Sequence, residues 1–218
     1  MKNKVELLGW YGSDETVACS AWTSTNRELT QEKKDRIPQL LKKLWEDGHE
    51  TPFEKIQFHF LVDTDIATHI HLLKHRISSL NAESARYKEL KGDKYYLPED
   101  WKDIKCFSGE YDWADILEQY TKQGNNLYHQ CITDLTPVLG RKRAKESARY
   151  FKTYNSQISA DVMFNGRSFM NFQRLRNSDH AQKEIMEVAQ EMIKLVQNIP
   201  NDPFQYILEA WGFNIVKL

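Results

Sequence analysis

Ile56, Phe58, Phe60 and Val62 stand at alternate positions of one stretch, and Ile158, Ala160, Val162 and Phe164 repeat that pattern far along the chain. A period of two predicts two half-buried strands. "VELLGWYG" near the N-terminus reads as a further strand that ends in a glycine turn. From Asp65 the period changes: Ile66, Ile70, Leu73 and Ile77 recur at helical spacing and predict a helix with a buried apolar stripe. "IPQLLKKLWEDG" predicts another helix, with Pro38 in its first turn and Gly48 at its C-terminal cap. "DWADILEQYTKQGNNLYHQCITDL" predicts a long amphipathic helix weakened at Gly124, and "NGRSFMNFQRLRN" and "HAQKEIMEVAQEMIKLVQNI" predict two more. Residues 88–109 read as an irregular excursion. Helices and strands mix without a βαβ rhythm, so the expected class is α+β, with a central antiparallel sheet in one domain over residues 1–218.

Composition narrows the function more than the fold. The chain has 218 residues, 40% hydrophobic and 12% aromatic, which is enough for a real core. Its formal net charge is −1, from thirty basic and thirty-one acidic side chains. A protein that grips a long nucleic acid by its backbone shows a stronger basic excess, so any anion site here is local. The three cysteines, Cys19, Cys106 and Cys131, form neither a disulfide framework nor a CxxC metal motif, and read as free thiols. "MKNKVELLGWYGSDE" lacks the apolar core of a signal peptide, and no apolar run approaches the ~20 residues a bilayer requires. The expectation is a cytoplasmic protein without a membrane segment.

The chemistry-bearing residues cluster around a repeated string. "ESARY" occurs at residues 83–87 and again at 146–150, each time beside basic residues. The flanks of the two copies barely agree, which argues against a duplicated module. Lys74, Arg76, Arg86, Arg149, Arg167, Arg174 and Arg176 all neighbour small hydroxyl or amide residues. Arg offers a planar fork for phosphate, so this crowding points either to a small phosphorylated ligand or to a structural ion-pair network. His71, Lys74, His75 and Ser78 would share one polar face of the helix begun near Asp65. His71 and His75 have zinc spacing, but no acidic or cysteine ligand lies nearby and HExxH is absent, so no metal is expected. Neither GxGxxG nor GxxxxGK[ST] is present. "RKRAKESARYFKT" could alternatively form a helix that contacts RNA.

"KHRISSLNAESARY" resembles the signature of the flavin-dependent thymidylate synthases, RHR followed by seven residues and Ser, read here as Lys74-His75-Arg76, ISSLNAE and Ser84. Three more stretches agree in order and spacing. "GHETPFEK" (48–55) is similar to the family's GHETPFEH, "ESARY" (146–150) falls at its ExxR, and "NGRSFMNFQRLRNSDHAQKEI" (165–185) resembles NxRSLxNFxxLRxxxxAQxEI. Three positions depart from the pattern: Lys74 for the first Arg of the motif, Ala82 where Glu is frequent (with Glu83 one place on), and His71 where Gln is expected.

The resemblance implies methylation of dUMP at uracil C5, with methylenetetrahydrofolate as carbon donor and FAD passing a hydride that comes from NADPH. It implies that His71, Lys74, Glu83, Ser84, Ala85, Arg86, Arg149 and Arg176 bind dUMP, Arg176 lying against the uracil to favour ionisation at N3. It places FAD on Thr51, Lys74, His75, Arg76, Asn165, Arg167, Asn171 and Leu175, and His49 near the flavin and the folate carbon as a catalytic candidate. Leu175 could equally be a core residue. No cysteine falls in a matched motif, which agrees with a route that needs no thiolate. The resemblance further implies a homotetramer with dUMP held between chains. The alternatives that stay open are a flavin-binding relative without methylation and an RNA-binding module.

Overall fold

The computed structural model describes residues 1–213. In chain order the elements are β1 (Lys4–Tyr11), α1 (Asp14–Trp22), α2 (Gln31–Asp35), α3 (Ile37–Glu46), a 3-10 turn (Thr51–Lys55), β2 (Gln57–Asp65) and α4 (Ile66–Leu73). There follow β3 (Ser79–Ala82), α5 (Trp113–Leu139), α6 (Arg141–Ala148), β4 (Gln157–Asn165), α7 (Gly166–Arg176), α8 (Lys183–Gln197) and α9 (Gln205–Ala210). The strands form one antiparallel sheet in the order β1-β2-β4-β3, and the class is α+β as expected. The register of β2 against β4 is marked at both ends: Ile66 N–H donates to the Ser156 carbonyl, and Gly166 N–H donates to that of Ile56.

The described chain falls into two compact units. One comprises Met1–Lys4, Asp63–Leu72 and Asn81–Ala160; the other comprises Val5–Val62, Leu73–Leu80 and the chain from Asp161 onward. The first unit is built on α5. Gly124 lies inside this unbroken helix, where a Cβ would stand 2.5 Å from the Phe151 carbonyl oxygen. The glycine lets the turn that follows α6 approach the α5 backbone. Tyr128 and Ile132 on α5 and Ala148 on α6 make a small core, with Leu90 packed against it.

The second unit has an aromatic core. Phe58 on β2 lies 4.9 Å, ring to ring, from both Phe169 of α7 and Phe204, and Phe164 of β4 lies 5.3 Å from Phe172. The alternating positions of β2 and β4 thus point their predicted residues inward. Asp14, buried at the start of α1, accepts hydrogen bonds from Tyr206 and Ile207 N–H, 3.0 Å each, at the first turn of α9.

The helix after Asp65 departs from expectation. It ends at Leu73, so Ile77 is not on it, and it buries Thr68, His69 and Leu72 instead of the apolar stripe. Ile70, Leu73 and Ile77 are 37%, 50% and 73% exposed. Asp65 accounts for part of this orientation. Its carboxylate accepts Thr68 N–H at 2.9 Å, which turns the polar first turn inward. The face expected to carry His71, Lys74, His75 and Ser78 therefore does not exist as a helix face, and the zinc-like spacing of His71 and His75 is lost with it.

Candidate active site

α7 starts where β4 ends. Asn165 caps it by accepting Ser168 N–H at 2.8 Å. The next residue is glycine because a Cβ at Gly166 would meet the Phe53 carbonyl oxygen at 2.5 Å and the Ile56 side chain at 2.6 Å. This seats the first turn of α7 directly on the 3-10 turn Thr51–Lys55. Two carboxylates consequently reach Arg167: Glu50 accepts from its Nε at 2.7 Å and Glu54 from its Nη1 at 2.9 Å.

Beside this joint lies a cavity of about 510 Å³, a volume suited to a nucleotide-sized ligand. Lys74, His75 and Arg76 line it from the segment after α4, Trp45 lines it from α3, and Asn165, Arg167, Asn171, Leu175 and Arg176 line it from the end of β4 and α7. Arg174 also lines it, so five cations surround the space against the two carboxylates Glu50 and Glu54. Such a lining suits an anionic ligand with flat apolar parts, the phosphates meeting guanidinium forks and a ring system meeting Trp45, Met170 and Leu175. The donor set fits FAD on these grounds. Leu175 is 47% exposed, which rules out the core-packing alternative.

Arg176 is held in place. Its Nε donates to His75 Nε2 at 3.0 Å, which puts the imidazole proton on Nδ1, and the His75 ring packs edge-on against Phe172 at 4.9 Å. Among the described residues no hydrogen bond engages the Nη groups of Arg176. His49 and Thr51 are both exposed and lie outside the cavity lining.

The two ESARY strings meet in the first unit. Arg86 Nε of the first donates to Glu146 Oε1 of the second at 3.0 Å, and Lys145 Nζ donates to the Tyr87 carbonyl at 2.7 Å. Ser84 Oγ accepts Arg86 N–H at 3.3 Å and so closes the turn that follows β3. Arg149, one helical turn beyond Glu146, is exposed and has no ion-pair partner among the described residues. Glu83 is already engaged. One oxygen takes Lys88 Nζ and the other takes Ser159 N–H at 3.1 Å. Burial pushes its carboxyl up, but these two donors outweigh burial and hold it below the usual carboxylate range. Ala85 is half-buried in the same turn, and His71 is half-buried on α4. The cations of α6 that an RNA reading would need are partly spent, Arg141 on Glu89 and Lys145 on Tyr87.

Sequence reasoning missed Trp45, Glu50, Glu54 and Glu146. Glu50 and Glu54 sit inside the quoted GHETPFEK, so a signal was present, but their partner Arg167 lies more than a hundred positions away. All three cysteines are free, and none lines the cavity. Cys106 is held down to about 7, chiefly by the Ser108 hydroxyl, in the excursion of the first unit.

Residues 6–200 match the family model described as thymidylate synthase complementing protein. The chain is similar to the flavin-dependent thymidylate synthase of Pseudothermotoga lettingae, 33% identical over 201 residues that span 89% of this chain and 85% of the relative. It is similar to that of Thermosipho melanesiensis, 33% identical over 200 residues with the same two coverages. Among solved structures it is similar to a UMP/dUMP methylase, PolB from Streptomyces cacaoi, bound with 5-Br dUMP. That match has a TM-score of 0.74, 25% identity, and coverage of 98% of this chain and 96% of the other.

Proposed function

The chain belongs to the flavin-dependent thymidylate synthase family, and from that premise we propose that it converts dUMP to dTMP with FAD, NADPH and methylenetetrahydrofolate, residues 1–218 serving as one catalytic domain. The observation that carries this reading is the α7 cavity, in which Lys74-His75-Arg76 and the Asn165, Arg167, Asn171, Leu175 and Arg176 set line one space.

FAD, when bound there, supplies the hydride chemistry. Lys74, Arg76 and Arg167 would hold its anionic part, and Asn165, Asn171 and Leu175 would line the rest of its site. Thr51 and His49, which lie outside the lining, are assigned to the flavin by the family pattern alone. Lys74 gives a point charge where the family pattern has a fork, so its grip is weaker in direction than in strength.

For dUMP, the phosphate falls to Ser84, the Ala85 N–H, Arg86 and Arg149, with His71 and Lys74 at the nucleoside end. Arg86 is shared with Glu146 through its Nε, which leaves its two Nη groups for an anion. Arg176, braced by His75, stabilises negative charge at uracil N3 and so makes C5 electron-rich without a thiolate. A carboxylate contact from Glu83 belongs to the same reading, although it competes with Lys88 and Ser159. Assembly into a homotetramer belongs to the same reading.

The test is the visible spectrum of the purified protein together with dTMP formation from dUMP in the complete mixture. Yellow protein that releases FAD on denaturation and makes dTMP is expected. Colourless protein that fails to take up added FAD overturns the flavin assignment, and flavin binding without turnover overturns methylation.

A further inference from the structure

The turn that carries Ser84 and Arg86 runs on into a loop, and one imidazole fastens that loop to α5. His129 Nδ1 lies 3.1 Å from Glu89 Oε1, and its Nε2 lies 2.9 Å from Asp93 Oδ2. The second oxygen of each carboxylate is taken by a cation: Arg141 Nη2 reaches Glu89 at 3.0 Å, and Lys152 Nζ reaches Asp93 at 2.6 Å. Lys152, only 4% exposed, also donates to Asn125 at 2.7 Å and lies 4.3 Å over the Tyr128 ring. The Tyr128 phenol oxygen in turn accepts Leu90 N–H at 3.0 Å. Asp93 has φ +43°, a left-handed backbone that persists in a non-glycine residue only where contacts hold it.

The two His129 contacts make a demand on protons. An ionised carboxylate can only accept, and a neutral imidazole has one N–H. With neutral His129, one ring nitrogen would aim its lone pair at a carboxylate oxygen. Only the imidazolium donates to both. Histidine is the side chain whose charge ordinarily changes between about pH 5 and 8.

We infer that His129 is a positioning residue for the phosphate grip, a latch that when protonated pins Glu89 and Asp93 to α5 and steadies the Ser84–Arg86 turn just upstream of Glu89. Loss of the proton breaks one of its two bonds and frees the loop at one end. The charged and titratable groups around the ring are Glu89 and Asp93 from the loop, Tyr128 from α5, Arg141 from α6 and Lys152 from beyond it. The consequence for dUMP rests on the assignment of Ser84 and Arg86 to its phosphate; the latch itself does not.

Amide hydrogen exchange over residues 83–94 at pH 6 and pH 8, corrected for the intrinsic rate, reads the latch directly. Protection in the wild-type protein is expected to fall about tenfold between the two, and to stay flat in His129→Gln and in Asp93→Asn. KM for dUMP should rise with pH in the wild type, with kcat little changed, and should lose that rise in both variants. Flat exchange in the wild type, or an unchanged pH response in either variant, overturns the latch. A latch seen in exchange with no matching change in KM overturns the phosphate assignment instead.

Discussion

Arg176 shows how one side chain gains a role from its neighbour. A guanidinium on a long stem loses rotamer freedom when it is fixed, and here the His75 ring, itself packed on Phe172, does the fixing. What remains is an oriented fork rather than a mobile charge. Arg176→Lys keeps the charge but can neither retain the Nε bond to His75 nor present two parallel donors. Turnover should fall roughly 100-fold or more, the scale of losing a preorganised donor to a developing anion, while FAD binding persists. Stopped-flow and steady-state assays on flavin-loaded protein check this; near-wild-type turnover would remove Arg176 from N3 activation.

At the scale of elements, the join of α1 to α9 buries a carboxylate in the unit that also holds the aromatic core. Asp14 is raised to about 7: burial pushes it up most, the two N–H donors from Tyr206 and Ile207 pull it part of the way back, and Glu209 adds to the rise. The folded value lies above the unfolded one, so between about pH 4 and 7 the folded state holds more protons than the unfolded chain. Stability from this group is therefore full below that window and is lost as pH rises through it. Asp14→Asn cannot ionise. Its urea-unfolding free energy should be flatter than that of the wild type from pH 4 to 7, by about 3 kcal/mol. Parallel pH slopes for the two proteins would show that Asp14 is ionised throughout.

For the whole molecule, the residues proposed to grip phosphate (Ser84, Arg86, Arg149) fall in the first unit, and Arg176 with the cavity falls in the second. If dUMP is held between chains of a homotetramer, phosphate grip and ring activation come from different subunits, as isologous interfaces permit. Arg86→Ala and Arg176→Ala, each nearly inactive alone, should then partly restore activity when co-expressed, because some interfaces collect both defects and others none. Arg86→Ala with Arg149→Ala should restore nothing, since every site receives a damaged phosphate arm. Activity in the second mixture, or none in the first despite hybrids seen by native mass spectrometry, would show that the two ESARY strings do not serve one nucleotide from one chain.

Periodicity and motif spacing are local properties, and what is local was legible. The alternation of Phe58, Phe60 and Val62 and of Ala160, Val162 and Phe164 pointed to β2 and β4, and the stretches 112–135, 165–177 and 180–199 pointed to α5, α7 and α8. The quoted motifs held most of the residues that line the cavity. The α4 stripe misled because a period reports which side of a helix is apolar, not whether any surface waits to receive it. That outcome was set by Asp65 capping Thr68 and by the helix ending at Leu73. Arg86 with Glu146, Arg167 with Glu50 and Glu54, and His129 with Glu89 and Asp93 join side chains 36 to 117 positions apart. Charge pairs at such separations leave no spacing signature. Any of some thirty cations could have met any of some thirty carboxylates, and the choice follows from which backbone segments the sheet and the glycine contacts bring within 3 Å.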